Sequence, residues 1–177
     1  MAVAAGIMVP HPPLIVPDVG RGQEILIKDT IKAYQEAAGM AAELKPDTIV
    51  VISPHAVMYA DYFHVSPGKE ARGDFGRFMA PQIGVEAGYD EAFVRELDRL
   101  CGDDDFPMGT EGEREKELDH GTLVPLYFIN QHYRDYKLVR IGGSGLSFAD
   151  HYRAGRYIAR AAENLGRSVF IVASGDL

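Results

Sequence analysis

Five consecutive β-branched residues, Thr48-Ile-Val-Val-Ile52, constrain this chain more than any other stretch. Such side chains are stiff at χ1 and pack well on a pleated surface, so the run reads as a strand. No polar residue alternates with them, which marks a strand covered on both faces. Ahead of it, Ile27, Ile31, Tyr34, Ala38 and Ala41 recur at helical spacing between Gln23 and Leu44. They form one apolar stripe on a helix that Pro46 must end. The apolar segment Ala2 to Val9 precedes that helix and reads as another strand. Strand, helix and strand make a βαβ unit with a right-handed crossover, which predicts an α/β fold built on a parallel sheet.

The rest of the chain fits one domain of 177 residues. Tyr62 to Val65 and Ile83 to Glu86 are expected as short strands in an irregular excursion around a Gly-rich stretch from Pro67 to Pro81. Phe93, Val94, Leu97 and Leu100 predict a helix over Asp90 to Leu100, and the polar loop from Gly102 to Glu117 is long enough to act as a lid. Gly121 to Asn130 reads as a buried helix starting near His120, in which Pro125 removes one backbone bond. Lys137 to Ile141 is strand-like, and Ser147 to Asp150 supplies N-caps for a helix reaching Leu165. Val169 onward is a buried-type strand that runs into Ser174-Gly-Asp-Leu177. A central strand needs a covering element on each face, so further sequence, and further site residues, are expected beyond Leu177.

Net charge is −8 and the sequence pI about 5.2, so a nucleic-acid backbone would be repelled over most of the surface. Ala2 to Val9 has no basic leader and is followed by Pro10, Pro12 and Pro13, which fits neither a signal peptide nor a membrane span. A lone cysteine, Cys101, excludes an intrachain disulfide and reads as a helix-end packing residue. A cytoplasmic protein is expected.

Two histidines, His11 and His55, each follow a strand at once, and prolines pin both exits. A histidine between prolines is often a solvated turn residue, and either position alone decides little. Their equivalence changes that: strands of one parallel sheet open their carboxyl ends on one edge, where α/β proteins bind ligands. Two imidazoles there favour a metal ion, the pair being treated as carried by adjacent strands about 4.8 Å apart. Asp119-His120-Gly121 offers a third imidazole, with Asp119 either orienting it or capping the helix. Asp176 points to the same edge as an oxygen donor or supporting group, or belongs to a simple turn. His64 reads as a partly buried strand residue, and His132 and His151 as surface residues. Gly142-Gly-Ser-Gly145 would suit an anion at a helix start, but lacks the phosphate-loop lysine.

Taken together, Met8-Val-Pro-His-Pro-Pro-Leu14, Ser53-Pro-His55, Asp119-His-Gly-Thr-Leu-Val-Pro-Leu126 and Ser174-Gly-Asp-Leu177 resemble the LigB family. These are the catalytic subunits of class III extradiol ring-cleaving dioxygenases. Tyr59-Ala-Asp-Tyr62 and Ser66-Pro-Gly68 are closest to a bacterial branch near AMMECR1-fused and Memo-like proteins. The resemblance implies a three-layer αβα domain with a central, mostly parallel or mixed sheet over residues 1–177. It implies Fe(II), with Zn(II) as the alternative, held by His11 and His55. It also implies that His120 is a catalytic, active-site histidine close to substrate or oxygen, while Asp119 and Asp176 are candidate supporting groups by their positions alone. The family's third ligand, a glutamate, and its general-base histidine fall beyond Leu177.

The reaction so implied is cleavage of a catechol-type ring by O₂, without an organic cofactor. Expected partners are the small aromatic substrate, O₂, an AMMECR1-like domain and further copies of the chain. Arg72, Arg77 and Arg114 are candidates to bind a substrate carboxylate, or are solvated loop charges. Two alternatives use the same pocket: a zinc hydrolase, and a Memo-like metal-binding scaffold without oxygenase activity.

Overall fold

A computed structural model describes residues 2–175. In chain order its elements are β1 (Val3–Pro10), α1 (Pro17–Gly20), α2 (Lys28–Leu44), β2 (Thr48–Ser53) and β3 (Phe63–His64). Then come β4 (Glu70–Phe75), β5 (Ala80–Gly88), α3 (Glu91–Asp103), β6 (Met108–Gly109) and α4 (His120–Ile129). The series ends with β7 (Lys137–Gly142), α5 (Phe148–Leu165) and β8 (Val169–Gly175).

The central sheet runs β1-β8-β2-β7, with every pairing parallel. Alternate residues of its strands enter two separate cores. Ile49, Val51, Leu138, Phe170 and Val172 pack with α2, α4 and the β4–β5 hairpin. Val50, Val139, Ile141 and Val169 pack with α3 and α5. Helices on both faces of a parallel sheet give the three-layer α/β fold expected from the sequence.

Two details of the expected architecture change. β1 and β2 are not neighbours, because β8 lies between them and pairs with both. The irregular excursion contains an antiparallel hairpin, whose first strand, Glu-Ala-Arg-Gly-Asp-Phe, is too polar to signal a strand by pattern. That hairpin covers α4, which explains why a ten-residue helix is buried on all sides except at His120 and Tyr127.

Candidate metal centre

His11 is placed by a strand end that cannot continue. Pro10 closes β1, and Pro12 and Pro13 lead directly into a 3₁₀ turn over Pro13–Ile15. The imidazole is 1% exposed, and its Nδ1 lies 2.9 Å from Ser174 Oγ. That hydroxyl donates its one proton to the Gly121 carbonyl at 2.5 Å. The lone pairs of Ser174 therefore face His11, so Nδ1 carries the ring proton and Nε2 presents a lone pair. Pro125 has a part in this. Lacking an N–H, it cannot give Gly121 O the usual helical bond, and the serine takes that place.

His55 enters from the end of β2, and its backbone N–H donates to Ser53 Oγ at 3.2 Å. Ser53 Oγ in turn donates to Asp119 Oδ1 at 2.5 Å. Asp119 is the N-cap of α4: Oδ1 accepts from Thr122 N at 3.0 Å and Oδ2 from Thr122 Oγ1 at 2.9 Å. The His55 loop and the start of α4 are thus tied together, and His120, the first residue of α4, stands beside His55. Gly121 permits the approach, since a Cβ there would collide with Ser53 Oγ and press on the His55 ring.

The three imidazoles converge. His11 Nε2 and His55 Nε2 are 3.0 Å apart, and one ring nitrogen from each of His11, His55 and His120 lies within 4.8 Å of the others. Ring centroids of His55 and His120 are 4.0 Å apart. The strands bearing His11 and His55 are two spacings apart, roughly 9.6 Å. The rings meet because β8 ends in the small residues Ala173-Ser-Gly175 between them. Burial falls from His11 through His120 to the exposed His55, so the cluster is reached from the His55 side. Asp176 lies outside the described residues.

Other sequence expectations fare variously. His64 is fully buried, with Nδ1 3.0 Å from Glu111 O and Nε2 3.3 Å from Glu113 Oε2. His132 is exposed, whereas His151 is half-buried, with its ring against the edge of Phe63. Cys101 is buried among apolar residues between α3 and α5, and burial, helped by Asp98 and Asp104, pushes its thiol up to about 12. Gly142-Gly-Ser-Gly145 serves close packing. The carbonyl oxygen of Val57 occupies the place a Cβ of Gly142 would need, and Ala60 crowds Gly145 in the same way.

The loop expected as a lid is fastened. Tyr59 Oη donates to Gly112 O at 2.6 Å, and Arg140 donates to Glu115 O at 2.6 Å and to Glu117 O at 2.7 Å. Arg140 is fully buried in β7; its Nε donates to Ser66 Oγ at 2.8 Å, and its guanidinium lies 4.0 Å from both Glu113 and Asp119. Burial pushes the Glu113 carboxyl up, but the Glu115 N–H, His64 and Arg140 together hold it below the ordinary glutamate range. Sequence reasoning passed over Arg140, although a lone charge between Val139 and Ile141 in a buried-type strand was the available signal. Ser53 and Ser174 were visible only as motif letters.

The class so defined is an α/β protein with a parallel sheet, whose carboxyl edge gathers three imidazoles that could hold a metal ion. The chain belongs to the LigB family: residues 5–177 match the family described as the catalytic LigB subunit of aromatic ring-opening dioxygenase. It is similar to Protein CA_C1420 of Clostridium acetobutylicum, 37% identical over 177 residues, covering 96% of this chain and 38% of that protein. It is also similar to the 3,4-dihydroxyphenylacetate 2,3-dioxygenase of Escherichia coli, 26% identical over 153 residues, covering 83% of this chain and 55% of that enzyme. The chain thus spans less than two thirds of either relative's length. Among the described residues, no helix is long and apolar enough to cross a membrane.

Proposed function

We propose that this chain carries the histidine side of a non-haem Fe(II) site that opens a catechol-type ring with O₂, in the extradiol manner. The observation that carries the reading is the pair of Nε2 atoms 3.0 Å apart, with the His11 tautomer fixed by Ser174. Two nitrogens each about 2.1 Å from one ion and at a right angle about it are separated by about 3.0 Å, whereas a tetrahedral pair needs about 3.4 Å. At 3.0 Å the two rings need shift by no more than a few tenths of an ångström to share one ion in either geometry.

His11 and His55 would hold the ion. Fe(II), once bound, supplies a template for ring and O₂ and the path for electrons between them. His120 faces the same opening, close to where substrate and O₂ would sit, and would hydrogen-bond to them there. Phe78, its ring centroid 5.4 Å from that of His120, gives the substrate an apolar wall. Asp119 holds the start of α4, and Ser53 the His55 loop, so neither histidine must reorganise on binding.

The test is oxygen uptake by the protein loaded anaerobically with Fe(II) and then given O₂ and a panel of catechols. Uptake with a yellow ring-opened product is expected, and its absence across the panel overturns the reading. His11→Ala and His55→Ala should each lower bound iron at least tenfold; unchanged iron in both variants would remove the site.

A further inference from the structure

The cavity in front of His55 and His120 has a volume of about 180 Å³, room for one ring with a short substituent. Phe78 and Leu123 line it with apolar surface, so the charged groups around them decide what the substituent can be. Four carboxylates, Asp74, Glu115, Glu117 and Asp119, stand there against one guanidinium, Arg77.

These charges do not count equally. Arg140 answers Asp119 from behind at 4.0 Å, and Ser53 and Thr122 occupy its oxygens. Arg77 pairs with Glu115 at 3.5 Å. Asp74, whose Oδ1 accepts from the Gly76 N–H at 2.6 Å, and Glu117 remain without an ion pair among the described residues, leaving two negative charges on the ridge between this cavity and the clefts outside the hairpin. The other arginines with a claim on a carboxylate are elsewhere. Arg114 lies over the Tyr59 ring at 4.8 Å and donates to Met58 O at 3.2 Å. Arg72 borders the clefts outside the hairpin and does not line this cavity.

From this distribution we infer that the site favours catechols whose ring substituent is neutral or cationic over anionic aromatic acids. The inference rests on the dioxygenase reading above and adds the substrate class. It separates this chain from the Escherichia coli relative, whose printed name specifies a catechol bearing a carboxylate. Rim carboxylates repel a substrate carboxylate and attract an ammonium group. Because they are exposed, the effect is modest and weakens with salt, roughly tenfold in affinity at low ionic strength.

Calorimetric titration of the zinc-loaded protein, in which no ring opening consumes the probe, tests this. The probes are 4-ethylcatechol, dopamine and 3,4-dihydroxyphenylacetate. Dopamine and 4-ethylcatechol should bind about tenfold more tightly than 3,4-dihydroxyphenylacetate in dilute buffer, with the gap closing at high salt. Glu117→Gln should narrow the gap between dopamine and 3,4-dihydroxyphenylacetate to about threefold, and an unchanged gap overturns the inference. Binding of 3,4-dihydroxyphenylacetate as tight as that of dopamine, and lost in Arg77→Ala, overturns the charge selection and leaves the dioxygenase reading standing. If none of the three catechols binds, or binding survives His55→Ala unchanged, both fall together.

Discussion

The two helical layers on the central sheet are built on opposite plans. On one face, α3 and α5 are amphipathic helices lying on an apolar bed that includes Phe93, Leu97, Leu100, Cys101 and Ile158. On the other face, α4 is enclosed by the sheet, α2 and the β4–β5 hairpin, and polar groups are embedded beside it: Arg140, Ser174, Ser53 and Asp119. The first layer supplies burial. The second also positions side chains, and its buried polar groups satisfy one another along a chain that ends at His11, His55 and the start of α4.

Replacement of Arg140 should have the largest effect. Arg140→Met leaves two loop carbonyls and Ser66 without their donor and two carboxylates without their counter-charge, at a cost of about 3–5 kcal/mol. Urea unfolding should show that loss, and the folded fraction should also bind less iron. If iron per folded molecule stays at the wild-type level, the two layers do not differ in the way described.

Leu97→Ala, in the opposite layer, should cost about 2–5 kcal/mol through the cavity it leaves. Iron content per folded molecule, by elemental analysis, should not change; a fall would show that the layers are coupled.

A smaller effect concerns acid. Glu113 titrates below the usual glutamate range in the native protein, so its contribution is complete above the unfolded value of about 4.3 and is lost as pH falls through the lower native value. Glu113→Gln should flatten that part of the acid-unfolding profile measured by circular dichroism, and an unchanged slope would remove Glu113 from the account. The smallest effect is on Cys101, whose thiol, pushed up to about 12, should resist iodoacetamide at pH 8 until the protein is unfolded. Rapid labelling of the native protein would show that the apolar layer opens.

The layers also differed in how much of them the sequence disclosed. Helical spacing reveals α3 and α5 directly, since each has one buried face. The strands before His11 and His55 were legible from apolar runs and prolines, and so was the convergence of their ends on one edge. The insertion of β8 between them was not, because strand order is fixed by long-range pairing that leaves no local mark. For Asp119 the sequence left capping and ring orientation open, and the bonds to Thr122 show the cap. The link from Pro125 through Gly121 to Ser174 and His11 joins residues up to 163 positions apart, beyond any spacing rule.

The place of β8 has a consequence for how the molecule comes into being. During synthesis the strands that deliver His11 and His55 emerge early, yet they share no ladder until residues 169–175 leave the ribosome and slide between them. Assembly of the histidine cluster therefore waits for residues 169–175, since a nascent polypeptide shorter than this has neither the spacer that sets the distance between the imidazoles nor the hydroxyl that fixes the tautomer of His11.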